Sequence, residues 1–350
     1  MSTALAARTV EKETLSFEHV AMPQRRTGEC LIRVDAVSLC GTDLHIFQDD
    51  YATDLPIVQG HEICGTVVDP DPDADLPAGT RVVVDPLTSC GACPACRTGH
   101  ANVCPSLSVL GCYGDGGLTE FLSIPSPRLH RVPEGMTSDV AALAEPTSIA
   151  MEAVTRAEPR PGDVALVLGC GPIGLLASVA LTDLGVTVVA ADIDAARAAS
   201  AQSFGADAAF AVGPRFPDAA QEQTLAELTC GAGPRIIIEA TGAPASLQNA
   251  IRLIAPAGRI VQVGISSAQA SITVKDLTDK EIELFGSRNS RGLIPDALAL
   301  LGRHPQEAET LITHRFGIEE LETAFRTMAD RSVPTGKIVI RVSPEGGAAQ

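Results

Sequence analysis

The sequence predicts an α/β protein of two domains, the first rich in β-strands and the second built on a doubly wound parallel sheet. Three observations lead to this prediction. With 350 residues and 45% hydrophobic content, the chain is long enough for two buried cores. Short β-branched runs separated by Gly and Pro fill the segment up to about residue 85. From Pro161 onward, apolar strands instead alternate with helical segments.

The composition restricts the possible partners and location. A formal net charge of −17 opposes binding to nucleic acid or to an anionic membrane surface. No apolar run reaches the roughly 18 residues that a transmembrane helix needs. The residues after Met1 become charged without a long apolar stretch, so we expect no secretory signal and a cytoplasmic location. The chain has ten cysteines, and in a reducing cytosol clustered cysteines are better explained as metal ligands than as disulfides.

A first set of metal-binding residue types lies between positions 40 and 62. The segments are Cys40-Gly41-Thr42-Asp43-Leu44-His45 and Gly60-His61-Glu62. Together they offer a thiolate, an imidazole and a carboxylate. A mixed set of this kind fits a catalytic zinc ion, which keeps a coordination position open, better than a structural one. A Cys near a His is also common in protein cores, so this interpretation depends on the rest of the chain.

Four further cysteines form a dense cluster with two, two and seven intervening residues. They are Cys90, Cys93, Cys96 and Cys104. Four thiolates at this spacing predict a closed, structural zinc site that holds together a lobe at about residues 88–106. His100 is a competing ligand, but Cys104 gives a uniform all-thiolate set. The alternative is a thiol-redox protein that uses Cys90 to Cys96.

A pattern typical of nucleotide binding follows Pro161, where apolar strands begin to alternate with helical segments. The strand Asp163–Leu168 leads into Gly169-Cys170-Gly171-Pro172-Ile173-Gly174, which opens a helix that ends near Gly185. Glycines at this place allow the backbone to approach a pyrophosphate at the helix N-terminus. The hexamer between a strand and a helix therefore predicts a dinucleotide site.

The identity of the dinucleotide depends on the end of the next strand. Val186–Ala191 is followed by Asp192, 18 residues after Gly174. An acidic residue there binds the ribose hydroxyls and repels a 2′-phosphate, which favours NAD over NADP. Arg197 lies one turn into the following helix and can pair with Asp194 or with Asp192.

The remaining elements complete the βα alternation, which indicates a parallel sheet covered on both faces. The run 139–156 is predicted to be helical, with a break at Glu145-Pro146 that turns the Glu145 carboxylate toward a cleft. The other predictions are strands at 236–240, 259–264 and 337–342, helices at 246–254, 295–302 and 318–330, and a disordered tail at 344–350.

Taken in order, these motifs resemble the zinc-dependent medium-chain dehydrogenase/reductase superfamily along essentially the whole chain. The motifs that match are Cys40-Gly41-Thr42-Asp43, Gly60-His61-Glu62 with Gly65, the four cysteines, Glu145-Pro146, and the glycine loop with Asp192. Within the superfamily, the chain resembles the polyol (sorbitol-like) dehydrogenases most, with threonine dehydrogenase nearby. The polyol group carries Glu-Pro at this place, whereas simple alcohol dehydrogenases carry Cys as a third ligand.

The resemblance implies a GroES-like catalytic domain at residues 1–147, a Rossmann NAD-binding domain at 148–286, and a return to the catalytic domain at 287–350. It implies two zinc ions per chain. Cys40, His61 and Glu62 bind the catalytic ion with Glu145 as a further or exchanging ligand, and which glutamate binds directly stays open. The implied cofactor site comprises Gly169, Gly171, Pro172, Ile173, Gly174, Asp192, Arg197, Val263 and Arg288. A homodimer or homotetramer is expected.

Two positions depart from the family pattern. Asp71 stands where a small residue is usual, and Glu152 stands where polyol dehydrogenases often have His. The second departure removes support for a proton relay through position 152.

The resemblance predicts reversible oxidation of a secondary alcohol to a ketone, with the hydride passing to NAD. The expected substrate is a polyol, a cyclitol or a sugar acid, and the alternative is an amino alcohol such as threonine. Thr42 is expected to take the substrate proton and pass it to the cofactor ribose or to His45, which can equally be a surface histidine. The alternative that is not an enzyme is a zinc-ribbon interaction or nucleic-acid-binding protein. Candidates for the substrate pocket are Phe47, Tyr51, Cys112 and Arg288-Asn289.

Overall fold

A computed structural model describes residues 3–343, and the chain divides into two compact units. The first unit runs to Glu145 and resumes at Ile294, and the central unit is Pro146–Leu293. The predicted domain boundaries lay at 147/148 and 286/287. The tail predicted to be disordered, 344–350, lies outside the described residues.

Seventeen strands are present in the described part of the chain. They are β1 Thr3–Glu11, β2 Thr14–Ala21, β3 Glu29–Leu39, β4 Glu62–Asp69, β5 Arg81–Val84, β6 Leu87–Thr88, β7 Ser108–Val109, β8 Phe121–Pro125, β9 Leu129–Arg131, β10 Val164–Leu168, β11 Thr187–Asp192, β12 Ala208–Ala211, β13 Ile236–Glu239, β14 Arg259–Gln262, β15 Glu283–Gly286, β16 Ile312–Gly317 and β17 Lys337–Arg341.

Twelve α-helices accompany these strands within residues 3–343. They are α1 Gly41–Phe47, α2 Pro94–Arg97, α3 Ser138–Ala141, α4 Ala144–Ala157, α5 Pro172–Asp183, α6 Ala195–Ser200, α7 Ala219–Thr229, α8 Pro244–Leu253, α9 Val274–Asp279, α10 Ile294–Arg303, α11 Pro305–Leu311 and α12 Leu321–Ala329. None of the helices in this described range is long and apolar enough to cross a bilayer.

The first unit is organised on a seven-stranded sheet with β3 at its centre. The strand order is β16-β17-β3-β4-β5-β9, and β8 pairs with the N-terminal half of β3. β17 is antiparallel to the C-terminal half of β3 and parallel to β16. The last strand of the chain therefore lies beside one of the first.

The core of the first unit holds α1 in place through the last residue of this helix. β3 is buried along almost its whole length and contributes Ile32, Val34 and Val37 to the main apolar cluster. Phe47, at the end of α1, stacks on Phe325 of α12 with 4.5 Å between the ring centroids. Phe47, a candidate for the substrate pocket, is thus a core residue that fixes the helix carrying the Cys40 segment.

The central unit is built on a six-stranded parallel sheet in the order β12-β11-β10-β13-β14-β15. The order reverses at β10, the first strand of this sheet in the sequence, which is the doubly wound arrangement of dinucleotide-binding domains. Its core cluster includes Leu166, Val189 and Ile237, each from a different strand and each at most 1% exposed. The α/β prediction for this part of the chain is confirmed.

Helix boundaries around Glu145 differ from the prediction. The break lies at Ala142–Leu143, and α4 starts at Ala144, so Glu145 and Pro146 both belong to its first turn. Proline is tolerated there because the first backbone N–H groups of a helix have no intrahelical partner. Asp71, which departs from the family pattern, is buried and accepts a hydrogen bond from the Ser126 hydroxyl at 2.7 Å.

Candidate active site and metal centres

The neighbouring strands β17, β3 and β4 bring the first set of polar residues together at one end of the strands in the seven-stranded sheet. Leu39, the last residue of β3, pairs with Ile338 of β17, and Ser38 pairs with Glu62 at the start of β4. Cys40 follows directly after β3, and Lys337 directly precedes Ile338. The antiparallel register therefore places Cys40 between a buried lysine and the His61-Glu62 pair.

The donor atoms of Cys40, His61 and Glu62 lie within 4.8 Å of one another. His61 is 5% exposed and Glu62 is fully buried. Glu62 Oε1 accepts a hydrogen bond from Lys337, whereas its Oε2 is buried and has no hydrogen-bond partner among residues 3–343. An unsatisfied buried carboxylate oxygen is costly unless a cation compensates it. The donor types and this oxygen together fit a zinc ion with an open coordination position.

Asp43, to which the sequence analysis gave no role, organises these donors. Its buried carboxylate accepts the Cys40 N–H at 2.9 Å and the Gly60 N–H at 3.1 Å, and lies 3.7 Å from His61 Nδ1. Burial would lower the pKa of His61, but the Asp43 carboxylate raises it well above its usual value. Because Nδ1 faces Asp43, Nε2 is the nitrogen available to a metal. A sequence signal for Asp43 existed, since it stands three residues after the N-cap Cys40.

Lys337 is the second unpredicted residue of this site. Its Nζ donates to Glu62 and to the Leu39 carbonyl at 3.2 Å, and the side chain is almost fully buried. Burial lowers the pKa of Lys337, but Glu62 and Cys40 raise it above the usual value, so the ammonium form is held. The Lys337–Glu62 contact joins residues 275 positions apart, and no local pattern reveals it.

Glu145 lies close to these groups but outside the set of donors within 4.8 Å. Burial raises the pKa of Glu145 to about 7, and Glu62 also raises it, against the opposite effect of His61 and Lys337. The carboxyl group is therefore poised to be protonated or ionised near neutral pH. Its separation from the three donors leaves its predicted role as a further or exchanging ligand a matter for proposal.

The predicted proton-transfer residues lie on α1. Thr42 is half-buried in the first turn, two residues from Cys40. His45 is exposed, and its Nδ1 lies 2.9 Å from Asp50 Oδ1. Cys112 lies beside the donors, with its Sγ 3.7 Å from His61 Nδ1.

The four-cysteine cluster is compact. The Sγ–Sγ distances are 3.4 Å for Cys93–Cys96, 3.5 Å for Cys90–Cys104, 3.9 Å for Cys93–Cys104 and 4.0 Å for Cys90–Cys96. A tetrahedral zinc ion with Zn–S bonds of 2.3 Å requires Sγ–Sγ distances of roughly 3.8 Å. The cluster thus has the dimensions of a structural zinc site.

Backbone N–H groups favour the thiolate form in this lobe. The Cys93 N–H donates to Cys90 Sγ at 3.3 Å, and the Cys96 N–H donates to Cys93 Sγ at 3.4 Å. Hydrogen bonds from the Ala92 and Cys93 backbones lower the pKa of the Cys90 thiol to about 6. The Cys96 N–H lowers the pKa of the Cys93 thiol, but burial and the neighbouring thiols raise it to about 11. The metal-binding thiolate form is therefore favoured at Cys90 and not at Cys93.

The glycine loop has the geometry that its spacing predicts. Gly169 has φ +100°, and a Cβ on Gly174 would lie 1.8 Å from the Gly169 carbonyl oxygen, so neither position accepts a side chain. Gly171 faces open space, and α5 begins at Pro172 immediately after it. The loop thus leaves room for the close approach of a phosphate to the N-terminus of a twelve-residue helix.

Asp192 is tied to this loop from the end of β11. Its Oδ2 accepts the Cys170 N–H at 2.8 Å, and its Oδ1 accepts the Asp194 N–H at 2.9 Å. The acid is therefore fixed beside the glycines. Asp194 caps α6 by accepting the Arg197 backbone N–H at 3.1 Å, and the Arg197 side chain is exposed.

Two buried polar atoms at the carboxyl ends of the parallel strands lack hydrogen-bond partners among residues 3–343. Glu239, Gln262 and Gly286 are in register at the ends of β13, β14 and β15. Gln262 Oε1 and the hydroxyl of the next loop residue, Ser287, are buried and have no hydrogen-bond partner in the described part of the chain. The predicted cofactor residues Val263 and Arg288 follow these positions. Unsatisfied polar atoms at this edge fit a polar ligand such as a dinucleotide.

Comparison with known proteins agrees with this arrangement. Residues 26–134 match the alcohol dehydrogenase GroES-like domain, and residues 172–303 match the zinc-binding dehydrogenase domain. The chain is 33% identical to L-galactonate-5-dehydrogenase of Escherichia coli K12 over 93% of this chain and 95% of that protein. It is 32% identical to L-threonine 3-dehydrogenase of Pyrococcus abyssi over 91% and 93%. The structure of the alcohol dehydrogenase RspB from E. coli CFT073 with NADH superposes with a TM-score of 0.89 at 30% identity, covering 98% of this chain and all of that one.

The matched families, the candidate metal ligands and the glycine loop together indicate an oxidoreductase that uses zinc and NAD. The chain belongs to the zinc-dependent medium-chain dehydrogenase/reductase superfamily, in its polyol and threonine dehydrogenase branch. The predicted family, fold class and cofactors are thereby confirmed. The chain is an oxidoreductase, and the alternative of a zinc-ribbon interaction or nucleic-acid-binding protein is set aside.

Proposed function

We propose that the protein oxidises a secondary alcohol of a polyol, cyclitol or sugar acid to the ketone and transfers the hydride to NAD. The observation that carries the proposal is the Cys40–His61–Glu62 donor set, in which His61 and Glu62 are buried and one Glu62 oxygen has no hydrogen-bond partner among residues 3–343. The similarity to L-galactonate-5-dehydrogenase supports a hydroxylated sugar-acid substrate. The similarity to L-threonine 3-dehydrogenase supports the second candidate, an amino alcohol.

In this proposal, Cys40, His61 and Glu62 hold the catalytic zinc ion, and Glu145 is the further or exchanging ligand. The four cysteines hold a second, structural ion. When bound, zinc supplies Lewis-acid polarisation of the substrate hydroxyl, and NAD supplies the hydride acceptor. Asp43 fixes the Cys40 and Gly60 backbones, so the donors keep their geometry through the reaction.

The proton released from the substrate hydroxyl needs a route to solvent. We assign the first transfer to the Thr42 hydroxyl, which is half-buried beside Cys40. His45 lies on the same helix with its ring exposed and hydrogen-bonded to Asp50, so it connects to bulk water. The reaction balances when the alcohol loses a hydride to NAD and a proton to solvent.

The cofactor site is assigned to the glycine loop, Asp192 and the carboxyl edge of the parallel sheet. The Asp192 carboxylate lies where a 2′-phosphate would be repelled, which supports NAD as the preferred nucleotide. We further propose a cytoplasmic enzyme, because a reducing compartment keeps cysteines as thiols that can bind metal. We also propose a homodimer or homotetramer.

A substrate panel tests the proposal. NADH formation at 340 nm is followed with polyols, cyclitols, sugar acids and L-threonine, with NAD and NADP compared for each. We expect turnover with a hydroxylated sugar acid or polyol and with NAD in preference. Turnover confined to L-threonine would replace the first candidate with the second, and no turnover with any secondary alcohol would contradict both.

A further inference from the structure

The loop that follows β15 is attached to α4 at two points. The Ser148 hydroxyl donates to the Ser290 hydroxyl at 2.8 Å, and Arg291 Nε lies 2.7 Å from Glu152 Oε1. Ser148 and Glu152 are four residues apart, so they lie on the same face of the helix. All four residues belong to the central unit.

The second attachment is an ion pair with a buried partner. Glu152 is 1% exposed, whereas Arg291 is 30% exposed. The contact is close, yet Glu152 Oε1 has no hydrogen-bond partner among residues 3–343. The Arg291 charge is therefore what compensates this oxygen. Loss of one partner of such a pair leaves an uncompensated buried charge, so the attachment resists opening.

The attached loop lies at the proposed nucleotide site. β15 is the edge strand of the parallel sheet, and its loop leaves from the carboxyl edge. The loop contains Ser287, whose buried hydroxyl has no partner in the described structure, the exposed Arg288, and Asn289 in the left-handed region with φ +51°. Asparagine adopts this region more readily than most non-glycine residues, so Asn289 marks a turn in the loop. The two attached residues, Ser290 and Arg291, directly follow this turn.

We infer that Ser148, Glu152, Ser290 and Arg291 form a two-point clamp that fixes loop 287–291 for binding the nicotinamide dinucleotide. Glu152 and Arg291 are positioning residues, which act through Ser287 and Arg288 and do not exchange protons with the substrate. This role accounts for a carboxylate at position 152 in place of the family's His. The inference rests on the proposed cofactor site at the carboxyl edge.

The test compares two ion pairs of the same unit. Arg291→Gln opens the clamp, whereas Arg235→Gln removes an arginine that is also 30% exposed and lies 2.8 Å from Asp163. Asp163 and Arg235 directly precede β10 and β13, so the control pair lies at the amino edge, away from the nucleotide. NADH affinity of the zinc-loaded protein is measured by fluorescence titration, together with Tm. Arg291→Lys tests whether a retained charge restores binding.

We expect Arg291→Gln to weaken NADH binding roughly 2- to 30-fold, the range for a change that acts through a neighbouring element. Arg235→Gln should bind NADH as the wild type does even if its Tm falls, and Arg291→Lys should recover most of the affinity. Equal NADH affinities in Arg291→Gln and Arg235→Gln would overturn the inference.

Two further variants keep the test decisive. Should Arg291→Gln not fold, Ser148→Ala removes only the hydroxyl contact, and unchanged NADH affinity in this variant would likewise overturn the inference. Asp192→Ala separates the clamp from the cofactor site itself. If Asp192→Ala weakens NADH binding and the clamp variants do not, the clamp alone is wrong. If Asp192→Ala has no effect, the proposed cofactor site is wrong.

Discussion

Replacing Lys337 with Met removes the only charge that directly contacts the buried Glu62 carboxylate among the described residues. The lysine makes an ion pair with Glu62 Oε1 and a hydrogen bond to the Leu39 carbonyl, and Glu62 has no exposed surface through which water could take over. Met fills a similar volume without a charge. The perturbation is therefore electrostatic, with little change in packing.

The magnitude follows from the burial of both partners. Removal of one member of a buried ion pair costs about 3–5 kcal/mol. For a domain of this size, that corresponds to a fall in Tm of about 6–20 °C. A zinc ion bound at Glu62 compensates part of the carboxylate charge, so the fall should be larger in chelator than in excess zinc.

Thermal unfolding in chelator and in excess zinc measures both effects. Lys275→Met is the matched control, because its pair with Asp279 is exposed on both sides and such pairs contribute about 0–1 kcal/mol. The double variant Lys337→Met/Glu62→Gln removes both charges and should recover part of the lost stability. A Lys337→Met protein no less stable than Lys275→Met in chelator would refute the reasoning.

Three further predictions concern other parts of the molecule. Burial raises the pKa of Asp139, but Arg341 and Arg315 lower it below its usual 3.8, so its stabilisation is complete above that value and is lost as the pH falls below it. Asp139→Asn should therefore destabilise the protein by about 1–3 kcal/mol at pH 7 and by much less at pH 3, as measured by urea unfolding. Cys104→Ser should lose one zinc ion per chain and open the 88–106 lobe to proteases; full zinc content by mass spectrometry would contradict this. Gly174→Ala should weaken NADH binding, because its Cβ would clash with the Gly169 carbonyl oxygen and displace the loop. A soluble variant that binds NADH normally in fluorescence titration would contradict the assignment of this loop.

The four-cysteine cluster and the glycine loop were predictable because the residues of each motif are close in sequence. The cysteines at 90, 93, 96 and 104 and the glycines at 169, 171 and 174 are each brought together by a single turn or short lobe, so spacing alone indicates the site. The doubly wound sheet was predictable from alternating strands and helices. Pro146 misled the placement of the helix break, because a proline in a first turn and a proline after a break give the same sequence pattern.

Residues joined by long-range pairing could not be predicted. Lys337 reaches Glu62 only because β17 returns to lie beside β3, and the register of two strands almost 300 positions apart has no local signature. Arg291 is similarly joined to Glu152 through a loop and a helix distant in sequence. Their partners are buried charges, and a buried charge is evident only when the burial is known.

The most direct test of the proposed zinc and NAD chemistry combines metal content, NADH binding and turnover in Cys40→Ala. We predict two zinc ions per chain in the wild type and one in the variant, with NADH affinity nearly unchanged and oxidation of the secondary alcohol abolished. A variant that retains both zinc ions and the wild-type rate would show that Cys40 is not a ligand of the catalytic metal, and the account of the active site would fail.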